Sequence, residues 1–164
     1  MIAIKYELVD SKAIQVVKKS KRIDLYVHYC LKLMYVFGLR VNEAVEFDKI
    51  IHAKSDKYLM LFTKKNNRYR KIRNYSWVNI AIKYMSNARK EKTNASKYDI
   101  REYLLRFTEL GGMHIGKKRV ITHIFRHLYA KRKYQKSKEL SKIAELMGIS
   151  KNVASNYISS IIMV

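Results

Sequence analysis

The sequence predicts a mainly α-helical domain with one small antiparallel β-sheet at its edge, an α+β fold. Three observations lead there. Apolar residues recur at helical spacing through most of the chain, two short strand-like runs flank the polar turn KKNN, and 164 residues suffice for one hydrophobic core. Proline is absent and glycine occurs only five times, so Asn, Ser and Lys must supply most of the punctuation.

Ser11–Lys19 reads as a short helix. A longer one follows over Ile23–Phe37, with Ile23, Val27, Cys30, Met34 and Phe37 at helical spacing and Gly38 placed to end it. A third helical piece covers Asn42–Phe47. The pattern then changes: Tyr58–Thr63 (YLMLFT) is a short apolar run, and Arg68–Arg73 (RYRKIR) interleaves basic residues with Tyr69 and Ile72. The asparagines between them tolerate the left-handed turn of a hairpin. Trp77–Ala88 and Asp99–Leu110 read as helices. Thr122 is placed to cap another over His123–Tyr134, and Leu140–Met147 and Asn152–Ile158 complete the set. No internal repeat or low-complexity tract stands out.

No apolar stretch approaches the roughly 20 residues that span a bilayer, and no secretory pattern is present, so an intracellular protein is expected, cytoplasmic or associated with a prokaryotic nucleoid. The lone Cys30 lies in the apolar run LYVHYCLKLMYVF and reads as a reduced core residue. Thirty-five Lys and Arg against thirteen Asp and Glu give a net charge of +22. Such an excess calls for an anionic partner, and nucleic acid fits better than a membrane surface, because the charge is spread along the chain and not gathered on one amphipathic helix.

Four separated features carry chemistry. In FGLRVNEAVEF, Arg40 stands directly after a Gly-Leu helix terminus, where its guanidinium can enter a cleft. In TKKNNRYRK, Lys64 or Lys65 at a strand–turn–strand tip can enter a DNA groove and deliver a proton; counting from Arg40 favours either equally. In ITHIFRHLYA, His123 and Arg126 are three apart and share a helix face, an arrangement suited to phosphate binding with proton transfer. His123 and His127 have the spacing of a helical zinc pair, yet no Glu lies between them and no further ligand is evident, so no metal site is assigned. Finally, LMGISKNVASNYISS places Tyr157 late, on a short polar helix.

Taken in order, Gly-Leu-Arg with Glu43 three residues on, a hairpin lysine, His-x-x-Arg-His, Leu-x-Gly and a late tyrosine resemble the catalytic domain of the tyrosine recombinase (phage integrase) family. The match runs from about Ile23 to Ile158, with 25 residues from Arg40 to Lys65 and 31 from Arg126 to Tyr157. By that resemblance Arg40 and Arg126 bind the phosphate, His123 is the first catalytic histidine and Tyr157 is the nucleophile. Lys65 is the general acid, chosen over Lys64 because KNNRYR tracks the family pattern K-x-N-K/R-x-R. Ile149, followed by Ser150, stands where the family carries a second His or Trp, and the stretch from Gly148 to Tyr157 is one residue shorter than usual. Lys64, Arg68, Arg70, Lys117 and Lys118 are expected to contact DNA.

The resemblance further implies a site-specific recombinase of a mobile element, virus or plasmid, acting on double-stranded DNA without metal, ATP or cofactor. It implies a homo-oligomer, a tetramer, on DNA and a monomer in isolation. The family usually adds an N-terminal DNA-clamping domain, for which this sequence has no room. The apolar tail SSIIMV (Ser159–Val164) either docks on a neighbouring protomer or packs on its own domain. A type IB topoisomerase uses the same chemistry and is the lesser alternative.

Segment 140–159 has a competing reading as a helix-turn-helix of a non-catalytic DNA-binding protein. Ala144 would sit between the helices, Gly148 in the turn, Ser150 as cap and Ala154 inside the recognition helix. That reading leaves Arg40, the lysine hairpin and the His123–Arg126 pair unexplained. GGMHIGKK (Gly111–Lys118) is nearly a phosphate-binding P-loop, but Lys118 stands where Ser or Thr must reach magnesium, and a solvated basic loop accounts for it better.

Overall fold

The computed structural model describes residues 1–164 apart from Lys64 and Asn66. Helix α1 (Tyr6–Ser20) leads into α2 (Leu25–Phe37), whose first turn is capped by Asp24 accepting the Val27 N–H at 3.0 Å. The helix α2 is apolar nearly all round and runs through the core, burying Tyr26, Cys30, Leu31, Leu33, Met34 and Phe37. Gly38 ends it in the left-handed conformation at φ 64°, and a Cβ there would lie 2.6 Å from the Tyr129 ring. The position therefore needs glycine both for its backbone and for its closeness to a neighbouring helix. The short α3 (Val41–Val45) follows, then a 3-10 turn at Phe47–Lys49.

A three-stranded antiparallel sheet comes next, in the order β1 (Ile51–Lys54), β2 (Tyr58–Thr63), β3 (Arg68–Arg73). The β2–β3 register runs from Tyr58 opposite Arg73 to Thr63 opposite Arg68, which sets Lys65 in the connecting turn. Period-two alternation turns Leu59, Leu61 and Thr63 of β2, and Arg70 and Ile72 of β3, toward the interior. Helices α4 (Ser76–Lys90) and α5 (Lys97–Phe107) pack on this body, the latter opened by a reciprocal Ser96–Asp99 capping box. After a second 3-10 turn, Glu109–Gly112, come β4 (His114–Ile115) and β5 (Lys118–Arg119). Helices α6 (Ile124–Ser137), α7 (Leu140–Met147) and α8 (Lys151–Ser159) and the strand β6 (Ile162–Met163) complete the chain.

The apolar interior falls into two clusters. The larger surrounds α2; the smaller joins Tyr129 and Ala130 of α6 to Ile143, Ala144 and Met147 of α7, Ile149, and Ala154 and Tyr157 of α8. Cys30 lies fully inside the larger, its thiol pushed up by burial.

The mainly helical α+β expectation and the β2–β3 hairpin agree with the structure, with four local corrections. Strand β1 was not anticipated, since IHAK pairs at a sheet edge with most of its residues exposed and lacks the apolar alternation that marks a half-buried strand. Helix α1 begins at Tyr6, not Ser11. Thr122 does not cap α6: His123 occupies the N-cap position in helical backbone and makes no side-chain cap bond. The basic stretch before α6 is a hairpin, β4–β5, turning at Gly116 with φ 59°.

The tail packs on its own domain. Strand β6 pairs with β4 through Ile162–Ile115 and Met163–His114, and Ile2 and Ile4 bond to Val164 and Ile162 on its other side. Ile162 is buried in this sandwich of chain ends. Ile162→Ala is expected to cost about 2–4 kcal/mol and lower Tm by roughly 5–10 °C in thermal unfolding. An unchanged Tm would mean that the tail leaves this position in solution.

Candidate active site

Four segments distant in sequence converge beside the smaller apolar cluster. The first is the α2–α3 junction. Arg40 sits at the N-cap of α3, and Glu43 reaches back so that its Oε1 accepts the Arg40 backbone N–H at 2.8 Å. The guanidinium lies 3.7 Å from the other carboxylate oxygen, and its Nε and Nη1 are buried without hydrogen-bond partners among the described residues. Burial, and secondarily Arg126, hold its pKa below the ordinary arginine value.

The second segment is the start of α6. His123 Nε2 lies 2.9 Å from the Tyr157 hydroxyl, and Arg126 donates from Nε to the same oxygen at 3.2 Å. Arg126 is completely buried, with Nη1 on the Gly38 carbonyl at 2.6 Å and Nη2 unpartnered among the described residues. Helical spacing explains the pair: residues three apart project from one face toward the incoming α8. Burial drives the His123 pKa down to about 4, with Arg126, Arg40 and Lys65 adding repulsion, so the imidazole is neutral near pH 7.

The third segment is α8. Ser150 caps it by accepting the Val153 N–H, and Tyr157 two turns later is 8% exposed, stacked against His123 and edge-on to His127 at 4.7 Å. The fourth is the β2–β3 turn, where Lys65 is exposed and shares a cavity of about 390 Å³ with Arg40, Arg68, His123 and Tyr157. Ile149, Ser150 and Val153 line its remaining wall. Ile149 is 4% exposed and joins the smaller apolar cluster, so at that corner the cavity has an aliphatic wall with no ring nitrogen to offer.

The structure thus brings together Arg40, Lys65, His123, Arg126, Tyr157, Ile149 and Ser150. Of the basic residues expected on DNA, Arg68, Lys117 and Lys118 are exposed. Lys118 borders a second cavity of about 430 Å³ with Arg101 and Arg119, which reaches His123 and His127. Lys64 lies outside the described residues. Arg70 requires a correction: it points inward from β3, is 1% exposed and binds backbone carbonyls, so it cannot lie against a DNA backbone.

Two contributors went unread in the sequence. His127 Nδ1 is 2.8 Å from the Ser160 hydroxyl, which donates to the Tyr157 carbonyl at 2.8 Å. Lys131 donates to the carbonyls of Ile158, at 2.8 Å, and Ser160. Together they tie down the C-terminal end of α8, where backbone carbonyls lack helical partners. Their signal was the spacing His123, His127, Lys131, one residue every helical turn on the face that meets α8.

The His127 pKa is pushed down by burial, and secondarily by His123, to about 3. An unfolded histidine takes up its proton near pH 6.5, whereas these two resist protonation in the folded state until about pH 4 and 3. The unfolded state therefore binds more protons in between, and stability is full above pH 6.5 and falls as the pH drops. At about pH 5 the loss is roughly 2 kcal/mol for each histidine. Thermal unfolding followed from about pH 7.5 to 4.5 should show Tm falling, and His127→Asn should flatten the slope. An equal slope in that variant would exclude His127 as a source.

The α7–Gly148–α8 backbone does have the helix-turn-helix form. Gly148 is left-handed at φ 64°, Ser150 caps, and Ala144 and Ala154 are buried between the helices. The Tyr157 face of α8, however, packs on α6 and closes the cleft, and nothing here favours a separate recognition role.

No family model matches the chain, and no curated protein matches it. Solved structures do. XerH site-specific recombinase bound to palindromic difH substrate, a post-cleavage complex, superposes with a TM-score of 0.66 at 17% identity, covering 90% of this chain and 46% of that one. XerH bound to difH substrate in a pre-cleavage complex gives 0.65, 17%, 90% and 47%. A lambda integrase dimer bound to a COC′ core site gives 0.63, 18%, 92% and 58%. The chain spans about half the length of the solved chains it resembles. Its fold is that of the tyrosine recombinase catalytic domain.

Proposed function

We propose that this chain is the catalytic domain of a site-specific DNA recombinase or integrase that cleaves and rejoins DNA through a 3′-phosphotyrosyl intermediate. One observation carries the reading: a buried arginine, Arg126, and a half-buried one, Arg40, with guanidinium nitrogens that lack hydrogen-bond partners among the described residues (Arg126 Nη2, Arg40 Nε and Nη1), lie beside a tyrosine hydroxyl that is hydrogen-bonded to a neutral histidine. Guanidinium nitrogens left without hydrogen bonds, on two cations that share a single nearby carboxylate, call for an anion, and a phosphodiester supplies oxygens that guanidinium forks match.

In the proposed reaction the Tyr157 oxygen attacks phosphorus and its proton passes to His123 Nε2. The bond to the 5′ oxygen breaks, and Lys65 protonates that oxygen as it leaves. Arg40 and Arg126 stabilise the charge of the pentacoordinate transition state. The ester to tyrosine conserves the energy of the broken bond, so a 5′-hydroxyl can reverse the step without ATP. Roles on this protein's own side chains suffice, so metal and cofactor are not invoked.

The net charge of +22 supports double-stranded DNA as the partner, held in a strongly salt-dependent manner. In the matching structures XerH is bound to difH substrate and lambda integrase to a COC′ core site. A homo-oligomer on DNA, a tetramer, and a monomer in isolation belong to the same proposal. The test is incubation with a nicked duplex carrying the cognate site, in chelator, followed by a denaturing gel. A DNA–protein adduct is expected; salt-sensitive binding with no adduct would reject catalysis.

A further inference from the structure

We infer that Arg70 is a positioning residue that holds the lysine hairpin in register with the rest of the active site. The inference rests on the recombinase reading and deepens it. Arg70 stands on β3, five residues from Lys65, at an inward strand position whose neighbour on the same face is Ile72. A charge at such a position is costly unless well held.

Its guanidinium is held by elements far away in sequence. Nε donates to the Leu146 carbonyl near the end of α7 at 2.8 Å, and Nη2 to the Phe37 carbonyl at the end of α2 at 2.7 Å. Both acceptors lie in helix C-terminal turns, where carbonyls lack helical partners and the helix dipole attracts a cation. The Tyr129 phenol of α6 lies beside the same group, and a Cβ on Gly148 would come within 3.0 Å of the Arg70 stem. Arg70 therefore touches the segment leading to Arg40, the helix carrying His123 and Arg126, and the turn that starts the Tyr157 helix.

The dependence is unequal. His123, Arg126 and Tyr157 are already joined by their own hydrogen bonds, and Arg126 holds Gly38, the carbonyl next to the one Arg70 holds. Lys65 has no such tie to them in the hydrogen bonds described here; its strand reaches them through Arg70. A lysine in place of Arg70 keeps the charge but loses the planar fork that spans two carbonyls. The step that suffers is delivery of the proton to the leaving 5′ oxygen.

That step can be isolated chemically. A bridging 5′ sulfur leaves without protonation, so single-turnover cleavage is compared on two nicked duplexes that differ only in oxygen or sulfur at that position. Arg70→Lys is expected to cleave the oxygen substrate roughly 10- to 100-fold more slowly than the parent protein, and the sulfur substrate within about threefold, as Lys65→Ala should. Equal slowing on both substrates, or on neither, would overturn the inference. If the unsubstituted protein forms no adduct with either duplex, the recombinase reading itself fails, and this inference with it. Thermal unfolding confirms that the variant is folded at the assay temperature. Should it not be, Tyr129→Phe, which removes only the phenol beside the guanidinium, carries the same comparison with a smaller effect.

Discussion

Tyr157→Phe is expected to abolish covalent attachment to DNA while leaving DNA affinity within about twofold. The hydroxyl is the atom on which His123 Nε2 and Arg126 Nε converge, at 2.9 and 3.2 Å, and no other group described in the cavity is a tyrosine. Removing one oxygen takes away the proposed nucleophile but keeps the ring, and the ring is what packs against His123 and His127. Binding by contrast comes from a charge of +22 spread over the whole chain, and phosphate contacts of that kind are insensitive to one neutral atom. The change to the fold is small as well. Loss of the hydroxyl leaves Arg126 Nε and His123 Nε2 without that partner, a cost of about 1–3 kcal/mol that still lies inside the stability of a domain of this size. Residual adduct in the variant, at more than about one part in a hundred of the parent rate, would move the nucleophile elsewhere.

Arg126→Met should lower cleavage by roughly 10²–10³-fold or more, the scale of losing one preorganised donor to a developing oxyanion. Its effect on stability should be far smaller, with Tm moving by a few degrees at most. The asymmetry follows from its surroundings. The guanidinium is fully buried, yet its partners are a carbonyl and a phenol and no carboxylate, and one nitrogen has no partner among the described residues. Arg40 and Arg70 lie near enough to repel it. A cation in that position contributes little to folding, and a methionine of similar length fills the same space. A variant that unfolds well below the parent while cleaving normally when folded would reverse this assignment.

Much of the site was legible because its motifs stand in a recognisable order. Periodicity places the helices around Arg40, His123, Arg126 and Tyr157, while the site itself was legible only through the order of motifs that resembles the tyrosine recombinase family; the structure brings Arg40, His123 and Tyr157 to one cavity, with Arg126 buried behind the Tyr157 hydroxyl. Arg70 misled for a physical reason. In RYRKIR basic residues alternate with Tyr69 and Ile72, so composition suggests a solvent-facing strand, whereas the β2–β3 register turns Arg70 and Ile72 inward. The carbonyls of Phe37 and Leu146, 33 and 76 residues away in sequence, make that burial tolerable, and no local pattern reports them. The terminal sheet was hidden likewise. Strands of two residues carry no period, and β6 exists because the chain's two ends meet beside β4. The helix-turn-helix reading of segment 140–159 described the backbone correctly, but the packing of the Tyr157 face on α6 depends on residues outside that segment.

Esterification of Tyr157 to the 3′ phosphate, as proposed, is read from the position of the adduct. The trapped complex from a nicked duplex is digested with nuclease and trypsin and the nucleotide-bearing peptide is sequenced by mass spectrometry. With thirteen tyrosines in the chain, the outcome discriminates sharply. The nucleotide mass is expected on the peptide that follows Lys151, at Tyr157. A nucleotide on any other tyrosine, or on a serine, would contradict the account.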